Sequence, residues 1–312
     1  MITRTSSNIM SVDQWEVLLT QWANGPSQTE QDKCDNAVRM VKAALSEYEP
    51  LQKRAIEVFA QGSYRNRTNV RQDSDVDVCV LCSDTFYFEV DRAPGATREL
   101  LGISPASYDF PEYKNDIRSA LVRKFGSAGV SQGDKAFDVH ENTYRVAADV
   151  VPAFEGRDYL PDAYGGFTYL KGTVLKSERS GRLIYNWPEQ HYDNGVAKHT
   201  ATARQFKKKV RILKRLRYKL QAEGFDVGST TSSYLLESLV YNCPAQCFSQ
   251  ALHFDDIRAL IVDLWEQTNR ESSERSMVEV NEIKYLFHPT QPWTLADTRT
   301  CLRTMWQYIG FE

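Results

Sequence analysis

The chain is 312 residues long, and its 38 lysines and arginines nearly balance its 41 aspartates and glutamates, for a formal net charge of −3. At about 150 residues per domain, this length predicts two domains, each large enough to bury a hydrophobic core. The hydrophobic share of 42% and the charged share of 25% exclude a disordered tail, a collagen-like chain and a disulfide-stapled miniprotein. No apolar stretch approaches the roughly 18 residues of a membrane span, so we expect no membrane partner.

The cysteine content indicates the cellular compartment, and the charge balance indicates which kinds of partner to expect. Six cysteines without an export signal predict a reduced, cytoplasmic protein. The near-neutral charge argues against a dedicated nucleic-acid binder, so we expect no stable nucleic-acid partner. Cys79 and Cys82 have a zinc-like spacing, but side chains alternate along the predicted core strand that carries them. We therefore expect buried free thiols there instead of a zinc site.

The first 60 residues show the apolar spacing of helices, and strand patterns follow. Apolar residues recur at helix spacing from Trp15 to Trp22 and from Val38 to Tyr48. Runs rich in β-branched and aromatic residues predict strands over 56–59, 76–81, 137–139 and 144–154, and a helix is predicted over 112–125. Residues 156–194 are rich in Gly, Pro, Tyr and Asp, and we expect loops and short strands there.

The character of the chain changes near residue 190. Apolar residues from Phe206 to Leu220 step by three or four positions, which predicts an amphipathic helix. Further helices are predicted over 234–241, 256–268 and 294–308, the last with Thr294 as its N-cap. The sequence thus predicts an α/β domain over 1–190, with its N-terminal helices, and a helical domain over 191–312.

Residues 61–81 carry the most informative polar side chains. Asp75 and Asp77 are separated by one residue of a predicted strand, so both point to one face while the neighbouring valines face the core. Adjacent carboxylates repel each other unless a divalent cation lies between them. Mg²⁺ suits this oxygen pair, because it usually takes one or two carboxylates together with phosphate oxygens.

Two further features favour a metal and phosphate site over a surface Asp-x-Asp turn. Gly62 and Ser63 follow a predicted strand, where a glycine permits close backbone approach and N–H groups beside a hydroxyl can hold a phosphate. Asp149 lies on another valine-rich strand and is the candidate third acid. Two metal ions about 3.5–4 Å apart would activate an attacking hydroxyl and neutralise the leaving pyrophosphate.

These motifs resemble those of a known superfamily. Gly62-Ser63, Asp75-x-Asp77 and the later Asp149 are similar to the polymerase-β-type nucleotidyltransferases. More narrowly, QGSYRNRTNVRQDSDVDV and ADVVPAF resemble the bacterial cGAS/DncV-like nucleotidyltransferases, which make cyclic oligonucleotide second messengers in antiphage defence. The resemblance spans residues 61–244. It implies an α+β fold: a polymerase-β-like core with a mixed sheet and flanking helices, a C-terminal helical lobe, and an active site in the cleft between them.

The same resemblance implies roles for residues of the helical half. The predicted helix after residue 205 is strongly basic, and most of its charges fit a solvated face. In the family one lysine of this helix reaches the donor triphosphate, and Lys214, at the end of RILK, matches best. In the segment SSYLLESLVYNCP, Ser233 would contact the triphosphate and Tyr234 would stack on a nucleobase. Packing of Tyr234 in the core is the alternative.

The stretch IYNWPEQHYDNGVAKHT is similar to clade E of the family, the cyclic UMP–AMP synthase type. There an Asn favours a pyrimidine, and Asn186 is the match. Its amide offers a donor and an acceptor to the edge of uracil; a turn-forming role beside Trp187 is the alternative. The family usually has Lys-Asn where this chain has Lys198-His199, which leaves the role of His199 open.

The resemblance therefore predicts template-independent synthesis of a uridine-containing cyclic dinucleotide, such as cyclic UMP–AMP or c-di-UMP, from UTP and ATP. Two Mg²⁺ ions, with Mn²⁺ as a substitute, would be held by Asp75, Asp77 and Asp149. We expect a monomer whose product, not the enzyme itself, is recognised by a downstream effector. The alternatives are a linear transferase (RNA-end, oligoadenylate or protein-modifying antitoxin type) and a non-catalytic nucleotide-sensing scaffold.

Overall fold

The computed structural model describes residues 10–70, 75–272 and 276–311. They form two compact units. One contains residues 27–65 and 75–188, and the other contains residues 10–26, 66–70, 189–272 and 276–311. The change of unit at residue 188 lies close to the predicted domain boundary. The first helix, however, groups with the C-terminal helices, because Trp15 and Leu19 are fully buried in the same hydrophobic core as Phe206.

The elements of the N-terminal part of the chain are α1 (Val12–Ala23), α2 (Gln28–Ser46), α3 (Glu49–Gln52), β1 (Ile56–Ala60), α4 (Gly62–Arg65), β2 (Val76–Glu89), α5 (Phe110–Phe125), β3 (Val130–Gln132), β4 (Phe137–Val139), β5 (Ala148–Pro161), β6 (Phe167–Lys176) and β7 (Leu183–Asn186). The C-terminal part contains α6 (Pro188–Ala201), α7 (Phe206–Ala222), α8 (Ser233–Asn242), α9 (His253–Thr268) and α10 (Leu295–Ile309).

The strands form one mixed sheet in the first unit. Its order is β1-β2-β5-β4-β3, and β6 and β7 continue from β5. The central pair β2 and β5 is parallel, whereas the other neighbours are antiparallel. This arrangement confirms the predicted mixed sheet with flanking helices.

The alternation of β2 separates a face packed in the main core of the unit from a face that carries both apolar residues and Asp77. Val76, Val78 and Val80 are fully buried in the core that includes α2 and α5. The odd-numbered residues point the other way, where Cys79 and Leu81 form a small separate cluster. Because the strand period is two, Asp77 lies on this second face.

The second unit is built around the amphipathic stripe of α7. The predicted apolar residues of this helix, Phe206, Val210, Leu213, Leu216 and Leu220, are all buried. The last helix begins as predicted, with the Thr294 side chain accepting a hydrogen bond from the Asp297 N–H. Both observations confirm the helical character of this half.

Residues 156–194 are more regular than the loops and short strands that we predicted. β5 continues to Pro161, β6 and β7 follow it, and α6 begins at Pro188. The first half of β6 is mostly exposed, so its sequence lacks the apolar run of a buried strand. α6 buries His191 and Gly195 in place of an apolar stripe, which removes the periodicity that marks a helix.

The structure bears on the predictions about membrane spans and free thiols. Within the described ranges, no helix is long and apolar enough to cross a membrane. All six cysteines are buried and none forms a disulfide. The prediction of buried free thiols is therefore confirmed.

Candidate active site

Three carboxylates lie side by side across the centre of the sheet. Asp77 of β2 is paired with Asp149 of β5, and Asp149 is paired with Asp138 of β4 on its other side. Asp75 immediately precedes β2 and is close enough for its charge to act on both Asp77 and Asp149. The structure thus brings together the three predicted acids and adds a fourth, Asp138.

The acids share an environment that disfavours their charged forms. Burial, reinforced by the charge of Asp75, raises the pKa of Asp77 to about 6. Burial and a hydrogen bond with Asp138 raise the pKa of Asp149 to about 7. Burial and the charges of Asp138 and Glu141 raise the pKa of Asp75 as well. Carboxylates that repel one another in this way are stabilised by a cation.

The turn after β1 lies directly against Asp77. Gly62 has a left-handed φ of 66°, and a Cβ atom on it would overlap the Asp77 carboxylate. The Gln61 N–H donates to the Asp77 carbonyl over 2.8 Å, which fixes this turn beside β2. Ser63, the next residue, is half-buried in the single turn α4. The predicted Gly-Ser turn and the acids therefore adjoin each other.

The donor set fits a magnesium ion that is shared with substrate. No three His, Cys, Asp or Glu side chains of the described residues converge closely enough to hold a metal ion by themselves. Mg²⁺ rarely requires such a cage, since it usually combines one or two carboxylates with substrate phosphates and water. Asp77 with Asp75 or Asp149 meets that requirement, and the missing Cβ of Gly62 leaves the room that the Asp77 carboxylate occupies.

Asp138 was missed by the sequence analysis. Its carboxylate accepts a hydrogen bond of 3.1 Å from Ser131 Oγ, which also lies 3.3 Å from His140 Nε2. The pattern Phe137-Asp138-Val139, an acid between two buried apolar residues, was the available signal. The pattern alone could not identify Asp149 as its neighbour, because the register between β4 and β5 is a tertiary property.

In the second unit, Lys214 has other partners than the predicted phosphate. Its ammonium group is buried and lies 2.7 Å from Glu237 Oε2, 3.2 Å from Thr68 Oγ1 and 3.3 Å from the Thr68 carbonyl. An ammonium group has three donors, so these contacts account for all of them. The other Glu237 oxygen lies 3.1 Å from His191 Nε2. The structure shows the Lys214 ammonium group in a buried ion pair with Glu237, and its phosphate contact stays a prediction.

Ser233 and Tyr234 open α8 in the same unit. Ser233 Oγ lies 2.9 Å from the Tyr218 hydroxyl. Tyr234 donates to Glu279 Oε2 over 2.8 Å, and its ring centre lies 5.5 Å from that of His191 and 5.8 Å from that of Trp293. The ring is thus held in an aromatic cluster and half-buried. Its predicted role in base stacking stays a prediction.

Asn186 ends β7 in the first unit and is half-exposed. It is paired with Thr173 of β6, which is paired with Glu155 of β5. Glu155 follows Asp149 by six residues on the same strand, roughly 20 Å at the usual rise. Alternation places both on one face of β5, so Asn186 lies at the far end of the face that carries the acids.

Comparison with known proteins decides the family. Residues 193–310 match the family model of the cGAS/DncV-like nucleotidyltransferase C-terminal helical domain. A cyclic dipyrimidine nucleotide synthase, CdnE, of Legionella pneumophila is 45% identical over 300 residues, which cover 96% of this chain and 99% of that relative. The chain belongs to the cGAS/DncV-like nucleotidyltransferases. The family predicted from the acids and the Gly-Ser turn is therefore confirmed.

Two solved structures are similar to this nucleotidyltransferase along nearly its whole length. The Rhodothermus marinus CdnE c-UMP-AMP synthase, solved with Apcpp and Upnpp, is 30% identical, covers 95% of this chain and 97% of its own, and has a TM-score of 0.80. The Elizabethkingia meningoseptica CdnE cyclic dinucleotide synthase, solved with GTP and Apcpp, is 32% identical over 95% of this chain and 99% of its own, with a TM-score of 0.77. The likeness to clade E is confirmed, and the chain is a cyclic nucleotide synthase.

Proposed function

We propose that this nucleotidyltransferase joins two pyrimidine nucleotides, with UTP as the preferred substrate, into a cyclic dinucleotide such as c-di-UMP. This proposal rests on the sequence identities of its relatives, because dipyrimidine synthases are more similar to this chain than the other synthases are. The CdnE enzymes of Legionella pneumophila and Cecembia lonarensis, at 45% and 40% identity, are both cyclic dipyrimidine nucleotide synthases. The cyclic UMP-AMP synthase of Rhodothermus marinus and the cyclic dipurine nucleotide synthase of Elizabethkingia meningoseptica are each 33% identical.

The carboxylates of Asp75, Asp77 and Asp149 would position the phosphate that reacts. Asp75 and Asp77 would orient the donor triphosphate through Mg²⁺, and Asp149 would complete the second metal site. When bound, Mg²⁺ or Mn²⁺ supplies the positive charge that neutralises the phosphates as the bond to the leaving group breaks. Gly62 and Ser63 would present backbone N–H groups and a hydroxyl to the same phosphates. Positioning and charge stabilisation account for nearly all catalysis of phosphoryl transfer.

The chemical step is a displacement at the donor α-phosphorus. Asp149 accepts the proton of the acceptor ribose hydroxyl, and the hydroxyl oxygen forms the new bond to phosphorus. The bond from the α-phosphorus to the bridging oxygen breaks, and pyrophosphate leaves with the electron pair. The linear intermediate then turns so that its free hydroxyl meets the remaining triphosphate, and a second displacement closes the ring.

Two residues would select the bases. Asn186 would pair its amide with the uracil edge, which offers both an acceptor and a donor. Tyr234 would stack on a base, an interaction worth about 1–3 kcal/mol that any base can satisfy. Discrimination against purines therefore rests on Asn186 in this proposal, and Tyr234 contributes affinity.

The proposal extends to the setting of the enzyme. A cyclic dinucleotide is a small diffusible signal, so a separate effector would read it in antiphage defence signalling. The substrates are nucleoside triphosphates, which places the reaction in the cytoplasm. The chain would act as a monomer, since both bonds are made at one set of acids.

Product analysis tests the proposed function. Purified protein is incubated with Mg²⁺ and labelled UTP alone, UTP with ATP, or all four nucleoside triphosphates, and each mixture is then treated with phosphatase. We expect a phosphatase-resistant product of two uridine monophosphates from UTP alone. A resistant product that requires ATP would indicate cyclic UMP–AMP. A phosphatase-sensitive ladder would indicate a linear transferase, and no turnover would contradict an enzymatic function.

A further inference from the structure

Glu279 is a buried carboxylate of the helical unit that contacts the start of α8. It is 5% exposed. Its Oε2 accepts a hydrogen bond of 2.8 Å from the Tyr234 hydroxyl and one of 2.5 Å from Asn281 Nδ2, while Gln291 Nε2 donates to Oε1 over 2.7 Å. Removal of a carboxylate from water is costly unless hydrogen bonds compensate for it. These three donors supply that compensation and hold Glu279 at both of its oxygens.

The segment that carries Glu279 is fastened to the other end of the same helix. Asn242, the last residue of α8, donates from Nδ2 to the Val278 carbonyl over 2.7 Å, and its Oδ1 accepts from the Val278 N–H over 3.0 Å. The Glu279 N–H donates to the Lys284 carbonyl over 2.9 Å, which closes the segment on itself. The backbone therefore fixes where the Glu279 carboxylate lies, and Tyr234 meets an acceptor that is already in place.

The ring contacts of Tyr234 leave its orientation to this hydrogen bond. The His191 ring lies at an angle of 42° to it and the Trp293 ring at 32°, so neither contact is a parallel stack. Burial and the charge of Glu279 raise the pKa of Tyr234 well above its usual value, so the hydroxyl keeps its proton and stays a donor. The hydroxyl is the part of the side chain most distant from the helix backbone. A bond at that point fixes where the half-buried ring lies.

We propose that Glu279 is a positioning residue that holds the Tyr234 ring in the orientation at which a nucleobase stacks on it. This inference rests on the proposed function, because it takes Tyr234 as the stacking residue. Glu279 contacts no substrate and acts through Tyr234. A ring that is anchored before the nucleotide arrives loses less conformational freedom on binding. Since any base can stack on a tyrosine, the anchor raises the affinity for nucleotide without selecting the base.

Substitutions on both sides of the hydrogen bond test the proposal. KM and kcat for UTP are measured at saturating Mg²⁺ for the full-length protein, Tyr234→Phe, Glu279→Leu and the double variant. We expect each single variant to raise KM about fivefold or more and to leave kcat within about twofold of native, because a binding contact is lost and no transition-state contact is. The double variant should raise KM no further, since both changes remove one bond. A KM increase equal to the product of the two single increases would overturn the proposal.

A conservative variant and a matched control sharpen the test. Glu279→Gln keeps an acceptor for the Tyr234 hydroxyl, and the Gln291 amide can turn to present its oxygen to the new NH₂ group. Its KM should return to within about twofold of native, and a KM as high as that of Glu279→Leu would overturn the proposal. Tyr241→Phe removes another tyrosine–glutamate hydrogen bond of the same unit, to Glu282, and should keep the native KM.

Two further readouts separate positioning from folding and from stacking. Glu279→Leu should lower the melting temperature, because Asn281 and Gln291 also lose their acceptor. Tyr234→Phe keeps both of those bonds, so its KM decides the question if Glu279→Leu does not fold.

Tyr234→Leu removes the ring itself. A native KM in this variant would overturn the stacking role, and the proposal with it. A raised KM in Tyr234→Leu together with a native KM in Tyr234→Phe would overturn only the positioning by Glu279. Because stacking tolerates any base, the same comparison is made with ATP if UTP is not the substrate. The result is therefore independent of which cyclic product the enzyme makes.

Discussion

Gly62 and Asp77 are in direct contact, and the contact exists because position 62 has no side chain. The φ of Gly62 is 66°, and a Cβ atom there would overlap Asp77 Oδ2. Both requirements point to glycine: the backbone conformation is one that L-residues rarely adopt, and the space is already filled by a carboxylate. The Gly-Ser turn thus determines where the second acid of the Asp-x-Asp pair can lie.

Gly62→Ala tests this contact. We expect turnover to fall by about 100-fold or more, because a displacement of a catalytic group by about 1 Å has that effect. Gly95→Ala is the matched control, since Gly95 has a φ of 88° but nothing within 4 Å of its Cβ position. Both variants strain the backbone and only Gly62→Ala displaces Asp77. Equal loss of turnover in the two would show that strain, and not the carboxylate contact, is responsible.

Asp149→Asn should abolish turnover yet stabilise the metal-free protein. Burial and a hydrogen bond with Asp138 raise the pKa of Asp149 from 3.8 to about 7 in the folded state. The folded state therefore binds the proton more tightly than the unfolded state, and stability falls as pH rises from about 4 to about 7. At pH 8 in EDTA we expect the variant to melt roughly 2 °C or more above the native protein. At pH 3.5 the two melting temperatures should coincide.

Asp138→Asn examines the acid that the sequence analysis missed. Asp138 hydrogen-bonds Asp149 and contributes a negative charge beside the metal site. Loss of such an outer partner typically costs about 10–100-fold in metal affinity or activity. We expect the Mg²⁺ concentration for half-maximal turnover to rise by that factor while saturating Mg²⁺ restores most of the rate. Glu112→Gln, which removes an exposed acid of α5, should leave the Mg²⁺ dependence unchanged.

The buried pair of Lys214 and Glu237 is expected to stabilise the helical unit. Although burial raises it, the pKa of Glu237 is lowered on balance by the charge of Lys214 and the hydrogen bond with His191. This stabilisation is present above the ordinary pKa of a glutamate and is lost as pH falls through the depressed value. Glu237→Leu leaves Lys214 and His191 without their shared carboxylate. We expect it to lower the free energy of unfolding, measured in urea, by about 3–5 kcal/mol.

The double variant Lys214→Met with Glu237→Leu separates stability from substrate binding. Replacing both partners by apolar groups should recover most of the stability. If Lys214 also contacts the triphosphate, the recovered protein should still show a raised KM for UTP. A native KM in the stable double variant would contradict the phosphate role that the family resemblance implies for Lys214.

Asn186→Ser tests base selection. Removing the amide should lower kcat/KM for UTP about tenfold or more, since one base-edge hydrogen bond to a half-buried group is lost. The ratio of UTP to ATP incorporation should fall with it. Asn194→Ser is the control, because the Asn194 amide donates to the Val280 carbonyl in the helical unit. Unchanged UTP preference in Asn186→Ser would contradict the proposed selectivity.

Much of the catalytic strand could be predicted because its pattern is local. A two-residue period places Asp75 and Asp77 on one face whatever the rest of the chain does. The valine-flanked Asp149 was identified on the same basis, and the structure pairs it with Asp77. Asp138 has the same local pattern on a strand that was also predicted, but its place beside Asp149 depends on the register between β4 and β5, which the sequence does not contain.

The helical elements show where the local signal fails. The stripe of α7 was predicted because five buried apolar residues repeat along it. α6 was not, since it buries His191 and Gly195, which carry no apolar signature. Its helical state follows from packing within the unit, which no window of sequence contains.

The sequence by itself determined the family, the acids and the faces of the main elements, because each depends on residue type and a short period. Only the tertiary structure decided which buried cations are neutralised. Thr68 and Glu237 are 169 positions apart and still converge on Lys214. Among the residues that the structure describes, no carboxylate forms an ion pair with Lys207, two turns earlier in the same run of basic residues. Ion pairing depends on distances through space, and a count of charges along α7 cannot distinguish these two lysines.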